Sequence, residues 1–133
     1  ELAYPNTKLY IQFAEDLTGE WKPHKNNPVK TDIRSSRPGG TPFVKENELY
    51  RPAQNSVGGY GSGIVINRVE KLTSEQYAEE KVSEIRPSEE GPYTGIHTLS
   101  SQGEITLIDN KRRIRNRHAI KRRVDQIASR LPL

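Results

Sequence analysis

Alternating apolar and polar positions predict that most of this chain folds into short β-strands. Residues 8–14 alternate, as do the shorter runs 42–45 and 49–51, which Glu46-Asn47-Glu48 joins into a hairpin. Residues 63–72 are the most β-rich run, and a break in their alternation indicates burial on both faces or a bulge. A further hairpin is predicted from 95–100 and 104–109. We therefore expect an all-β fold up to residue 110.

The hydrophobic period changes from two to about 3.6 after Ile114. Apolar side chains recur at 120, 124, 127 and 131, which predicts an amphipathic helix ended by Pro132. Residues 111–133 hold nine Lys or Arg against one acid, Asp125, so they carry +8 while residues 1–110 carry −4. The sequence thus divides into a β region, 1–110, and a basic helix, 111–133.

The composition limits the class of protein. Only 32% of residues are hydrophobic, and the 10 Gly and 9 Pro suit a β protein with many turns. The lack of Cys excludes disulfides and Cys-based zinc or redox sites, but it does not fix a compartment. No apolar run approaches the ~18 residues of a membrane-spanning helix. Since residue 1 is Glu and Met is absent, we expect a processed protein or an excised piece.

Residues 21–61 carry the most specific motif of the chain. Two Arg-Pro pairs, at 37–38 and 51–52, bracket the first predicted hairpin, and a Gly-rich stretch follows. The segment resembles part of the five-bladed β-propellers of the glycosidase superfamily that includes arabinanases, invertases and levansucrases. It is most similar to the propeller modules that accompany glycosyltransferase or formyltransferase domains. The matching residues are Trp21, Pro23, His24, Asn27, Pro28, Val29, Asp32, Arg34, Arg37, Pro38, Leu49, Tyr50, Arg51, Pro52, Ala53, Gln54, Tyr60 and Gly61.

The resemblance spans residues 9–110 and implies the C-terminal blades of such a propeller. Residues 77–85 favour a helix by propensity, but the resemblance implies an outer strand, and we predict a strand. Residues 97–112 resemble the family pattern H-T-L-S…I-D-x-K-R. At ~40–50 residues per blade the chain supplies about two to three blades, whereas a propeller closes with ~4–8. We therefore expect a homo-oligomer or a partner chain that completes the ring, because unpaired sheet edges favour association.

The Arg-Pro pairs indicate a binding site. Proline favours an extended conformation in the residue before it, so each Arg projects in a fixed direction, and an Arg fork suits carboxylate, phosphate or sugar hydroxyls. The alternative is that these arginines only bond carbonyls and Asp32 between blades. The resemblance implies a polar pocket at the propeller axis that binds a sugar or sugar-phosphate. The residues predicted to bind are Arg37, Arg51, Gln54, Tyr60, His97, Asp32 and Trp21.

The chain is not predicted to contain a complete catalytic set. A glycosidase needs two carboxylates across the scissile bond, whereas residues 21–61 offer only Asp32 and, at the hairpin tip, Glu46 and Glu48. If the chain is part of a glycoside hydrolase or a glycan-transfer enzyme, its catalytic carboxylates are expected outside this sequence. His24 and His97 alone are a weak metal signal, so we predict no metal and no cofactor.

Two functions follow from these observations. The first is a carbohydrate-related module that binds a sugar or sugar-phosphate. The second is a non-catalytic scaffolding or interaction module whose basic C-terminal helix docks an acidic partner. In either case residues 111–133 are expected to bind polyanions weakly and without sequence preference, through their charge.

Overall fold

The computed structural model describes residues 6–112, and every regular element in that range is a β-strand. The all-β prediction is confirmed there. Of the predicted helix at 111–133, residues 111 and 112 form a strand that pairs with residues 93–95, and the rest lies outside the described residues. In the described range no helix is long and apolar enough to cross a membrane. The strands are β1 (Lys8–Leu9), β2 (Gln12–Phe13), β3 (Lys22–Pro23), β4 (Lys30–Thr31), β5 (Phe43–Lys45), β6 (Glu48–Asn55), β7 (Gly63–Leu72), β8 (Tyr77–Ile85), β9 (Tyr93–Gly95), β10 (Leu99–Gln102), β11 (Ile105–Ile108) and β12 (Lys111–Arg112).

Strands β5 to β8 form a four-stranded antiparallel sheet in which each strand pairs with the next along the chain. The predicted hairpin at 42–51 and the predicted strands at 63–72 and 77–85 are confirmed. The hairpin turns at Glu46 and Asn47, whose φ angles are 52° and 65°. Positive φ at both central residues is what a two-residue type I′ turn requires, and such a turn matches the twist of the flanking strands.

Strand β7 shows both features that its broken alternation indicated. Its register with β8 shifts between Ile66 and Asn67 and again between Val69 and Lys71. Its first five residues, 63–67, are all buried, so both faces of the sheet are covered at that end. Strand β7 is therefore the centre of the fold.

The predicted strand at 8–14 is divided into β1 and β2, which pair with different partners. The interruption lies at Ile11, whose amide donates to Asn27 Oδ1 at 2.9 Å and whose carbonyl accepts from Asn27 Nδ2 at 2.7 Å. The Asn27 side chain thus takes the place of a neighbouring strand. The hairpin predicted at 95–109 is also shorter than expected, because only β10 and β11 pair within it.

One face of the four-stranded sheet is apolar and packs against the segment that leads into β10. Ile64 and Ile66 of β7 are buried with Ile96 and Leu99. The rings of Phe43 and Tyr50 stack at a centroid distance of 5.5 Å. The partly buried side chains around this cluster are Phe43, Tyr50 and Ile85.

The glycine at position 40 lets the chain before β5 lie directly against β10. The Leu99 amide donates to the Gly39 carbonyl at 2.7 Å. A Cβ atom on Gly40 would lie 1.7 Å from the Leu99 carbonyl oxygen, and φ of Gly40 is +144°. Both the space and the backbone conformation therefore require glycine at position 40.

The opposite face of the sheet is polar and holds the N-terminal segment. Arg51 Nη2 donates to the Ser35 carbonyl at 2.6 Å, and Lys30 Nζ donates to Glu79 Oε1 at 2.6 Å. Asn67, next to Arg51 in the β6–β7 register, is fully buried on the same face. Charge-assisted hydrogen bonds, rather than apolar packing, therefore join residues 30–36 to the sheet.

Candidate functional site

Three of the predicted binding residues lie together at one end of the four-stranded sheet. Arg37 is positioned beside β6, because the Gln54 amide donates to the Arg37 carbonyl at 2.8 Å. Its guanidinium carbon lies 5.3 Å from the centroid of the Tyr60 ring. The Tyr60 ring in turn lies 4.8 Å from the His97 ring, tilted by 40°. A cation, a phenol ring and an imidazole therefore form a continuous row, which we call the Arg37–Tyr60–His97 row.

The Gly-rich loop between β6 and β7 sets this row. Gly58, Gly59 and Gly61 have φ angles of +82°, +139° and +82°, which favour glycine. The Ile96 amide donates to the Gly61 carbonyl at 2.8 Å, which ties the loop to the residue before His97. A Cβ atom on Gly61 would lie 3.3 Å from His97 Cδ2. The loop thus brings Tyr60 against His97 with little room between them.

Asp109 holds His97 from the other side. One carboxylate oxygen, Oδ1, accepts from the amides of His97 and Thr98 at 2.9 and 2.7 Å. The other, Oδ2, forms an ion-pair contact with His97 Nδ1. Burial disfavours the ionised carboxyl, but the two amide donors outweigh that cost and lower the pKa of Asp109. Asp109 is therefore an anion that orients the imidazole.

A concavity of about 590 Å³ lies beside the row. Tyr60 belongs to both, and the ring is 53% exposed, so it is accessible to a ligand. The remaining lining residues are Gly58, Gly59, Ser62, Thr94, Lys111 and Arg112. Hydroxyl groups and two cations around an aromatic ring suit a polar, anionic ligand of the size of a sugar-phosphate. Within residues 6–112, no group of three or more His, Asp or Glu side chains is arranged to hold a metal ion.

Arg51 lies on the opposite face of the sheet from Arg37. The bridge between Pro38 and Ala53 puts Arg37 in register with Gln54, and strand alternation then puts Arg51 on the other face. The Arg51 side chain is bound by Glu79, with Nη2–Oε1 at 2.6 Å and Nε–Oε2 at 2.8 Å. Arg37, Arg51 and Tyr60 therefore do not share one concavity. Arg51 lies in the interior and bonds other parts of the fold, which is the structural role that the sequence analysis gave as the alternative.

The Arg51–Glu79 pair is charged in spite of its burial. Burial opposes charge on both groups, but their mutual hydrogen bonds outweigh it, so the pKa of Arg51 is raised and the pKa of Glu79 is lowered. The Tyr77 hydroxyl also contacts Glu79, and burial together with this carboxylate raises the pKa of Tyr77. The group is an ionic network in the interior, in which Arg51 Nη1 has no hydrogen-bond partner among the described residues.

The other predicted residues lie apart from the row or inside the fold. Asp32 accepts from the Arg34 amide and from Ser35 Oγ, both at 2.9 Å, so it caps a turn. Gln54 is buried, and its Oε1 has no hydrogen-bond partner among the described residues. Trp21 directly precedes β3 and is 50% exposed.

Sequence reasoning missed Asp109, Lys111 and Arg112 as site residues. The signal was present, because all three fall in the I-D-x-K-R pattern, whose Asp109 follows His97 by twelve residues. Glu79 was also missed as the partner of Arg51. Its signal was the polar pair Tyr77 and Glu79 at a spacing of two in a predicted strand, which places both on one face.

Comparison with known proteins identifies relatives. Residues 3–97 match the family described as glucosamine inositolphosphorylceramide transferase 1, N-terminal. A protein named glucosamine inositolphosphorylceramide transferase 1 from Oryza sativa subsp. indica is 39% identical over 80 residues, or 59% of this chain and 11% of the relative. One of the same name from Arabidopsis thaliana is 33% identical over 122 residues, or 83% of this chain and 16% of the relative. The chain thus spans a small part of these relatives, and no solved structure matches it.

Proposed function

This chain belongs to the family of the N-terminal region of glucosamine inositolphosphorylceramide transferase 1, and from that premise we propose that it is a glycan-transfer-associated module that binds a sugar or sugar-phosphate. The names of the relatives contain an amino sugar and an inositol phosphate, which defines the ligand classes to test. Catalytic carboxylates for any transfer step would come from outside this chain.

The Arg37–Tyr60–His97 row, next to the concavity that contains Lys111 and Arg112, is the observation that carries this proposal. The exposed part of an aromatic side chain packs against the C–H groups of a sugar ring, and its hydroxyl bonds the rim of that ring. Cations at one end of the concavity neutralise a phosphate. The site therefore offers separate surfaces for the two halves of a sugar-phosphate.

The proposed fold of the module is a partial five-bladed propeller. A propeller blade is a four-stranded antiparallel sheet, and β5 to β8 have that form. The short sheets on either side would then be parts of neighbouring blades. Completion of the ring by another copy, by a partner chain or by further parts of a longer protein would cover the exposed Ile105 and Leu107 of β11.

A titration followed by NMR tests the ligand proposal. The 133-residue chain is mixed with myo-inositol 1-phosphate, with glucosamine and with inorganic phosphate, and amide shifts are recorded. We expect the sugar-phosphate to shift residues 58–62, 97 and 111–112 and to bind more tightly than either glucosamine or phosphate alone.

Matched variants locate the binding. Tyr60→Ala and Lys111→Ala should each raise the Kd for inositol phosphate about tenfold, which is the effect expected when one good contact is lost. Tyr10→Ala and Lys45→Ala remove exposed residues of the same types elsewhere and should leave it unchanged. Shifts spread over the whole surface, or equal effects of both pairs of variants, would contradict the proposed site.

The uneven charge of the sequence supports a second candidate function. Residues 111–133 carry +8, whereas residues 1–110 carry −4. A scaffolding module would use this basic region to dock an acidic partner. Binding that needs the basic region but is unaffected by Tyr60→Ala would favour this second function.

A further inference from the structure

We propose that Asp109 is a positioning residue of the ligand site, and that it fixes His97 in the tautomer whose Nε2 accepts a hydrogen bond from a ligand hydroxyl. This inference rests on the proposed function, and it assigns each end of the ligand to a part of the site. The polyol ring lies at His97 and the phosphate lies at the cations. The expected ligand class is thus a phosphorylated polyol, rather than a phosphate alone.

The geometry around Asp109 allows one arrangement of the imidazole proton. The carboxylate is ionised and can only accept hydrogen bonds. Its Oδ1 is occupied by the amides of His97 and Thr98, so Oδ2 remains for His97 Nδ1. Nδ1 must therefore carry the proton, and in the neutral imidazole Nε2 is left with a free lone pair.

The Cδ2 edge of the imidazole faces the Gly-rich loop. His97 Cδ2, the atom bonded to Nε2, lies 3.3 Å from the position that a Cβ atom on Gly61 would take. The His97 side chain is 25% exposed, and Tyr60 covers one face of its ring. Nε2 is thus on the ring edge next to the loop, and Tyr60, which contacts the His97 ring and lines the concavity, connects the two.

Because Nε2 accepts a hydrogen bond, it favours ligand groups that donate over groups that only accept. A ligand hydroxyl can donate to it, whereas the dianion of a phosphate monoester offers only acceptors and is disfavoured there. The phosphate is instead expected at Lys111 and Arg112, the cations that line the concavity. Asp109 therefore sets which end of the ligand faces the histidine.

Nitrogen NMR of the histidine ring tests the tautomer directly. In the full chain with His97 neutral, we expect a pyrrole-type shift for Nδ1 and a pyridine-type shift for Nε2. Asp109→Asn is the key variant, because Asn Oδ1 can still accept from both amides while its NH₂ group faces Nδ1. The two shifts should then exchange. A protonated Nε2 in the unsubstituted chain, or no exchange in Asp109→Asn, would overturn the proposal.

Ligand binding tests the positioning role. Inositol 1-phosphate should move the Nε2 resonance of the unsubstituted chain, whereas inorganic phosphate should not. In Asp109→Asn the affinity for inositol 1-phosphate should fall about threefold or more, with that for inorganic phosphate unchanged. Asp16→Asn, which alters another turn-capping carboxylate, should change neither affinity.

The outcomes separate this inference from the proposed function. If inositol phosphate does not bind at all, the proposed function fails, although the tautomer can still be as stated. If it binds equally well to Asp109→Asn, the positioning role fails while the proposed function stands. If Asp109→Asn does not fold, the tautomer and the Nε2 response of the unsubstituted chain decide, and either one can overturn the proposal.

Discussion

Arg51 and Glu79 form a two-pronged ion pair across the interior of the sheet, with 2.6 Å between Nη2 and Oε1 and 2.8 Å between Nε and Oε2. Only 10% of the Arg51 side chain and 3% of the Glu79 side chain are exposed. Lys30 donates to the same carboxylate, and Arg51 reaches the Ser35 carbonyl. The pair therefore joins the N-terminal segment to β6 and β8 through buried charge.

Removal of Glu79 should strongly destabilise the fold. Glu79→Ala leaves Arg51 buried without its counter-ion, and we expect the free energy of unfolding to fall by about 3–5 kcal/mol. Glu80→Ala is the matched control, since Glu80 pairs with Arg68 on the surface at 58% exposure and should cost about 1 kcal/mol or less. Denaturant unfolding followed by Trp21 fluorescence measures both. Equal losses would show that the buried pair does not stabilise the sheet.

A methyl group at position 40 should disrupt the contact between the chain before β5 and β10. Gly40→Ala places a Cβ atom 1.7 Å from the Leu99 carbonyl oxygen in a backbone with φ of +144°. Gly59→Ala has a similar φ of +139° but open space around it, so it isolates the backbone cost of about 1–3 kcal/mol. We expect Gly40→Ala to lower the melting temperature clearly more than Gly59→Ala. The reverse order would contradict the close approach.

Glu84 should give the fold stability that is lost in acid. Hydrogen bonds from Arg86, then from Lys81 and Asn55, lower the pKa of Glu84 from 4.5 to about 2. The unfolded chain therefore binds a proton at a higher pH than the folded chain does. The contribution of Glu84 is full above about pH 4.5 and declines as the pH falls toward 2.

Variants of Glu84 can test this pH dependence. Glu84→Gln should flatten the stability curve between those pH values, whereas Glu89→Gln, an exposed substitution, should leave its slope unchanged. Denaturant midpoints at a series of pH values give the slopes. An unaltered slope in Glu84→Gln would exclude this group as the acid-sensitive one.

The basic C-terminal region should govern binding to polyanions. Residues 113–133 contain seven Lys or Arg and one Asp, and truncation after Arg112 removes them while it keeps β12. We expect retention of the full chain on heparin to fall steeply with salt, since the attraction comes from counterion release. The truncated chain should elute near the void volume. If retention survives the truncation, the cations of the ligand concavity would be the binding groups.

The strands could be predicted from the sequence because alternation directly reports which side chains share a face. This held for the hairpin of β5 and β6, whereas β8 was predicted as a strand from the family resemblance, because its propensity favours a helix. The break at Ile11 could not be predicted, because it depends on the Asn27 side chain, which replaces a backbone partner sixteen residues away. Local alternation of apolar and polar residues cannot show that a distant side chain makes the hydrogen bonds that a neighbouring strand would otherwise make.

The placement of the candidate site residues in the fold could be predicted only in part, for a related reason. Arg37 and Arg51 share the same local motif, Arg-Pro, but the bridge between Pro38 and Ala53 places them on opposite faces. The face of each arginine is fixed by pairing between distant residues, which a dipeptide does not encode. Tyr60 and His97 meet because the Gly61 carbonyl binds the Ile96 amide, a contact that also spans a long stretch of chain.

The sequential order of the four-stranded sheet has a consequence for how the chain acquires its structure. Strands β5 to β8 are joined by connections of only two, seven and four residues, and the first is the type I′ turn at Glu46 and Asn47. Short connections lose little entropy on closure, so each strand can add to the sheet soon after the one before it. During synthesis on the ribosome, this sheet can therefore form once residue 85 has emerged, and it then serves as the template on which later segments assemble.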